Sequence, residues 1–205
     1  MKYRQLWLVI SAIAIAVATG CSAQTPPLKW TEDVRLPDGR VVTLTRYQEF
    51  KGPHELGETP TESDYWFEFK HPDTGQIVRW QSDRDLATLA LMMDGAAPVL
   101  LVTPHFGDSM LRYKCPNPPY LLYRFEGNWK PVPIDRIPVK RLRVNMTESP
   151  KYQKAIKESG FHLTADQTSN SEHNYRPYII DFSMMTQQTF KTENCGRTLD
   201  LLIGK

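Results

Sequence analysis

Past residue 30, apolar and polar residues alternate in short runs separated by turn-forming residues, the pattern of antiparallel strands rather than long helices. In Tyr65-Trp66-Phe67-Glu68-Phe69-Lys70 the residues Tyr65, Phe67 and Phe69 share one side of a pleated strand. Trp66, Glu68 and Lys70 share the other, so one face is built for a core. His71-Pro72-Asp73-Thr74-Gly75 then turns the chain into Gln76–Trp80, which predicts a hairpin. Leu36-Pro37-Asp38-Gly39-Arg40 is a second turn, placed before the β-branched run Val41–Thr45, and its Asp-Gly pair is a strong hairpin signal. Tyr120–Phe125 and Trp129–Val132 flank Glu126-Gly127-Asn128 and predict a third.

Other stretches read differently. Pro98–Val102 is a continuous apolar run of strand length, suited to a strand covered on both faces. Asp85–Met93 carries two signals: Leu86, Leu89, Ala90 and Met93 have helical spacing, whereas Leu89–Met92 reads as a buried strand before Asp94-Gly95. The spacing favours a helix. Arg136–Met146 predicts a strand with Leu142, Val144 and Met146 on one side and Arg141, Arg143 and Asn145 on the other. Ser149-Pro150 ahead of Lys151–Ser159 and Gly160 predicts one short capped helix. Pro177–Phe182 and Thr198–Ile203 read as closing strands, and Lys51–Ser63 and Asp166–Arg176 as polar loops. No repeat of fixed period is present. The expected fold is mainly β: an antiparallel β-sandwich or open barrel built from hairpins, with one or two short helices, in a single domain spanning 30–205.

The first twenty residues break this pattern. Lys2 and Arg4 give a positive start, Leu6–Ala18 is apolar except for Ser11, and small residues follow up to Cys21, the layout of an export signal. Thirteen helical residues reach about 20 Å, short of the roughly 30 Å hydrocarbon core, so this is not a permanent spanning helix. Ala18-Thr19-Gly20-Cys21 resembles the lipobox of bacterial lipoproteins. The resemblance implies a diacylglyceryl group on the Cys21 thiol, cleavage after Gly20 and acylation of the new amine, with residues 1–20 as signal and 21–29 as a Pro-containing tether. Two or three acyl chains suffice for stable anchoring. Ser22, where an aspartate favours inner-membrane retention, points to the outer membrane facing the periplasm.

The alternative is an ordinary secretory signal cut after Ala18 or after Ala23; the cut after Ala18 would leave three cysteines, Cys21, Cys115 and Cys195, an odd number, whereas lipidation of Cys21 leaves an even pair. In an oxidising envelope Cys115 and Cys195 are expected to join, closing a loop of about 80 residues worth roughly 4 to 5 kcal/mol on the chain-entropy model. The alternative is two separate buried thiols.

Charge excludes one class of partner. Removing Lys2 and Arg4 reduces the 25 basic residues to 23, equal to the 23 acidic ones. A neutral mature chain lacks the basic excess that binding nucleic acid requires, so none is expected as partner. The expected partners are the membrane, through the lipid, and an envelope protein or cell-wall ligand. Arg136, Lys140, Arg141 and Arg143 form a basic stretch suited to anionic headgroups or an acidic partner, or to the wet face of a strand. Trp66, Trp80, Tyr120, Tyr123 and Trp129 read as core strand residues first, and as a carbohydrate or peptide groove second.

Candidate chemistry is sparse. Phe106-Gly107-Asp108-Ser109-Met110, after an apolar strand, resembles the Gly-Asp-Ser block of the GDSL (SGNH) esterases. That resemblance implies Ser109 as nucleophile. It calls for a histidine base three residues after a late aspartate, and for oxyanion donors from a later glycine and a Gly-x-Asn-Asp block. Here His173 follows Asn170 at that spacing, and the Gly-x-Asn-Asp block is absent. Asp73-Thr74-Gly75 matches the aspartic-protease tripeptide but has no second copy, so the turn reading wins. His54, His71, His105, His162 and His173 lack the pairwise spacing of a helical metal site. No catalytic residue, metal or cofactor is therefore assigned. The expected function is a membrane-anchored, non-catalytic binding or structural module of immunity or accessory type, with a GDSL-like esterase using Ser109 as the alternative.

Overall fold

The computed structural model describes residues 25–51, 61–82, 85–105, 108–147, 153–169 and 179–181. The first sheet is an antiparallel meander of β1 (Leu28–Arg35), β2 (Val41–Lys51), β3 (Thr61–Lys70) and β4 (Ile77–Ser82). The second is another meander: β5 (Leu86–Asp94), β6 (Ala97–Pro104), β7 (Leu121–Phe125) and β8 (Trp129–Val132). Four of the hairpin turns place a glycine at positive φ: Gly39, Gly75, Gly95 and Gly127. In the first turn Asp38 accepts hydrogen bonds from Arg40, and the Arg40 side chain holds its carboxyl below the usual range.

Alternation aims the inner faces at each other. Leu44, Phe67, Phe69 and Val78 of the first sheet meet Leu91, Leu100 and Val102 of the second in one core. The outer face of the first sheet is mixed and polar, as the Tyr65–Lys70 alternation requires. The outer face of the second is not open. Leu89, Ala90, Met92, Val99, Leu101 and Leu122 pack beneath Leu142, Val144 and Ile180, with Ile134, Ile137 and Val139 also against them. This third layer contains a 3-10 turn (Ile134–Arg136), β9 (Arg141–Arg143) and its antiparallel partner β11 (Ile179–Asp181). A strand between two apolar layers needs no polar face, hence the unbroken Val99–Val102 run.

The β-sandwich of hairpins is as the sequence indicates, but four local readings differ. Leu86–Met93, read as a helix, lies in β5. A bulge between Thr88 and Ala90 turns Leu89 and Ala90 to the same side, breaking the alternation and imitating helical spacing, while burial of both faces removes the polar positions that mark a strand. The strand expected over Arg136–Met146 is regular only over β9, and Asn145 is buried rather than outward. Within the polar stretch 166–176, residues 166–169 belong to a short helix (Ala165–Ser169). Thr61–Ser63, assigned to a loop, begin β3; the rest of the 51–63 loop beyond Lys51, and Thr198–Ile203, lie outside the described residues.

Three short helices are described: α1 (Asp108–Arg112), α2 (Gln153–Glu158) and α3 (Ala165–Ser169). Gly160, at φ +70°, ends α2 as its sequence predicts. The chain then forms β10 (His162–Leu163), which runs parallel to β1 and covers that edge. Ile156 and Leu163 close over Leu28, Trp30 and Phe50 in a satellite core.

The outer edges of β4, β5 and β8 each have a device against further pairing. Trp129 Nε1 donates to the Arg79 carbonyl of β4 at 2.8 Å, and β8 contains Pro131. Asn145 completes β5: its Oδ1 accepts from Leu91 N–H at 3.0 Å, and its Nδ2 donates to the carbonyls of Leu91 and Arg35, each at 2.9 Å. The Asn145 and Met146 amides donate to Leu89 O at the bulge. One side chain thus substitutes for a strand and ties the two sheets.

Candidate functional site

The densest group of polar side chains is sealed between the sheets. It is built from β1, β2, β3, β5 and the segment after β9. Alternation places Glu32 and Arg46 on the inner face with the apolar residues; Glu32 is 0% exposed and Arg46 1%. The Arg46 guanidinium pairs with Glu32 Oε1 at 2.6 Å and donates to the Thr147 carbonyl at 2.7 Å and hydroxyl at 3.1 Å. It also donates to the Tyr65 hydroxyl and, at 3.3 Å, to Thr88 Oγ1. Tyr65 and Thr88 share a further bond of 2.9 Å. Glu32 in turn accepts from Trp30 Nε1 and from the Thr147 hydroxyl. The Trp30 and Tyr65 rings lie 5.0 and 5.1 Å from the guanidinium carbon, so the cation also meets two π systems.

Burial works against the Arg46 charge, but Glu32 and the other acceptors outweigh it and raise its pKa. Burial raises the Tyr65 phenol, opposed by Arg46. A sealed cation with its counter-ion and four further acceptor contacts is equipped to hold elements in register, and it presents no atom to a substrate. Sequence reading passed over it because Glu32 and Arg46, 14 residues apart, look like ordinary strand charges. The only available signal was parity: Glu32 and Arg46 alternate in phase with Trp30, Val34, Val42 and Leu44.

Ser109 sits in the first turn of α1, 7% exposed, and donates to Asp85 Oδ1 at 2.9 Å. The other oxygen of Asp85 is held by Arg112, and the Asp85 carbonyl accepts the His105 amide. Ser109 and Arg112 of α1 both bond the one carboxylate, so this arrangement pins α1 to the start of β5. His173, the base that the esterase pattern calls upon, lies outside the described residues, as do Phe106 and Gly107.

His71 is buried in the β3–β4 turn. Its Nδ1 accepts from the amides of Asp73 and Thr74 and its Nε2 donates to Ala96 O at 2.7 Å, joining the turn to the β5–β6 turn. Asp73 pairs with Arg40 at 2.6 Å, which settles Asp73-Thr74-Gly75 as turn chemistry. His162 bonds Thr31 and faces Asp33 at the β10–β1 edge. Among the described residues, no group of three or more potential ligands is placed to hold a metal.

The aromatic residues divide in two. Trp80 is buried, edge-on to Tyr123 and Trp129, and Trp129 meets Phe125. On the solvent side of the first sheet Trp66 stacks on Tyr47 at 5.3 Å while Arg79 lies 4.4 Å from its ring. Tyr47 on β2 and Arg79 on β4 flank Trp66 from either side, leaving little open face for a sugar. Arg136, Lys140, Arg141 and Arg143 are all exposed on the outer side of the third layer.

Cys115 follows α1 in a left-handed turn, with φ of 58° at Lys114 and 48° at Cys115. The pairing expected of Cys115 with Cys195 rests on a residue outside the described ones. Cys21 and Cys195 both lie outside them. No helix among the described residues is long and apolar enough to cross a membrane. No protein-family model, no curated protein and no solved structure matches the chain.

Proposed function

We propose that this chain is an exported envelope lipoprotein, held to the periplasmic face of the outer membrane by acyl chains on Cys21, with a β-sandwich acting as a non-catalytic binding or structural module. The leader Ala18-Thr19-Gly20-Cys21 supports the anchor. The observation that carries the non-catalytic part is the engagement of Ser109: buried and bonded to a carboxylate that Arg112 also holds, it serves the fold. Asp73, His71, Glu32 and Arg46 are committed in the same way. Cys115 with Cys195 is the pairing that fits a protein whose remaining cysteine is lipidated.

The test is ester hydrolysis by the purified chain and its Ser109→Ala variant over acyl esters of several lengths. The expected result is no serine-dependent turnover, together with a stability loss of about 1.5–3 kcal/mol from the missing bond to a charged acceptor. Turnover abolished by Ser109→Ala would overturn the reading.

A further inference from the structure

We infer that the outer surface of the third layer, through Arg136, Lys140 and Arg143, docks on the anionic phospholipid headgroups of the bilayer to which the chain is tethered. This rests on the anchored reading of Cys21 and adds a second point of membrane contact to it.

Four observations converge. Residues 136–143 contain four basic side chains and no acidic one, within a mature chain whose 23 basic and 23 acidic residues balance only when these four are counted. The layer sorts them by packing: Ile137, Val139 and Leu142 turn toward the second sheet, which leaves Arg136, Lys140, Arg141 and Arg143 facing solvent. Register then separates one from the rest, because Arg141 lies opposite Asp181 whereas Arg143 lies opposite Ile179. Among the described residues no carboxylate forms an ion pair with Arg136, Lys140 or Arg143, in contrast to Arg35, Arg40, Arg112 and Arg124. Finally, the tether is short. Thr25 is four residues beyond Cys21, a reach of at most about 14 Å, so the lipid holds the chain's entry into β1 near the headgroups.

The occupant follows from complementarity. Like charges kept unpaired on one surface match the negative potential of a leaflet rich in anionic lipid, which acts within a Debye length of the surface. Such a contact is weak alone and becomes effective once tethering raises the local concentration.

The test uses the mature chain, residues 21–205, carrying Cys21→Ser, so that acylation plays no part and the docking surface is read separately from the anchor. All described elements lie after the leader. The chain is sedimented with vesicles of phosphatidylcholine alone or mixed with phosphatidylglycerol. The expected result is binding only to the mixed vesicles, weakened by salt and by about fivefold for each charge removed in Arg136→Gln, Lys140→Gln and Arg143→Gln. A control triple variant, Lys29→Gln, Lys70→Gln and Lys157→Gln, removes as much charge elsewhere and is expected to bind nearly as the parent does. Equal binding to both vesicle types, or equal loss in the two triple variants, would overturn the proposal. So would an absence of vesicle binding accompanied by crosslinking to a protein through these three residues in intact cells.

Discussion

Arg46→Ala is expected to destabilise the domain by about 3–5 kcal/mol, because it strands the Glu32 carboxylate in a site with no access to water. Glu32 keeps only Trp30 Nε1 and Thr147 as donors, while Tyr65, Thr88 and the Thr147 carbonyl each lose a donor. For a domain whose whole stability falls within roughly 5–15 kcal/mol, that is a large fraction. The pair variant Glu32→Leu with Arg46→Met separates charge stranding from mere loss of contacts. It removes both ions and fills their volume, so it should recover most of the loss. Urea unfolding followed by tryptophan fluorescence reads both. A single variant no worse than the double would mean that the carboxylate is not sealed as described.

Asn145→Ala is expected to cost about 3 kcal/mol or more. It removes three hydrogen bonds and leaves the Leu91 N–H and C=O and the Arg35 C=O without these partners at a covered edge, each such loss costing about 1–3 kcal/mol. Asn145→Asp is a sharper probe, since a carboxylate still accepts from Leu91 N–H but cannot donate to the two carbonyls. It should be at least as damaging as alanine near neutral pH. The loss is expected to concentrate in β5, so amide exchange should quicken at Leu91 ahead of β2 and β3. Uniform quickening across both sheets would contradict the role given to this side chain.

These two residues also mark the boundary of what the sequence discloses. The hairpins around Gly39, Gly75 and Gly127 are legible because turn chemistry and period-2 alternation are local properties. The doubly buried β6 is legible as an unbroken apolar run. The helical reading of β5 fails because a bulge is invisible in a pattern and burial on both faces erases alternation. Arg46 and Asn145 are harder still, since their partners lie up to 101 and 110 residues away; parity with Val42 and Leu44 is the one local sign that Arg46 faces inward, and Asn145 has the parity of the outward Arg141 and Arg143. Ser109 shows the converse: a short block suggestive of catalysis takes its meaning from Asp85, 24 residues earlier.

The lipid anchor is the claim from which the assignment to the envelope and the membrane-docking surface both follow. Its most direct test is metabolic labelling with radioactive palmitate of bacteria expressing the full chain or Cys21→Ser, followed by membrane fractionation. The account predicts label on the parent chain in the membrane fraction, and an unlabelled Cys21→Ser chain that retains its leader. Absence of label from the parent, or unchanged processing and labelling in Cys21→Ser, would contradict it.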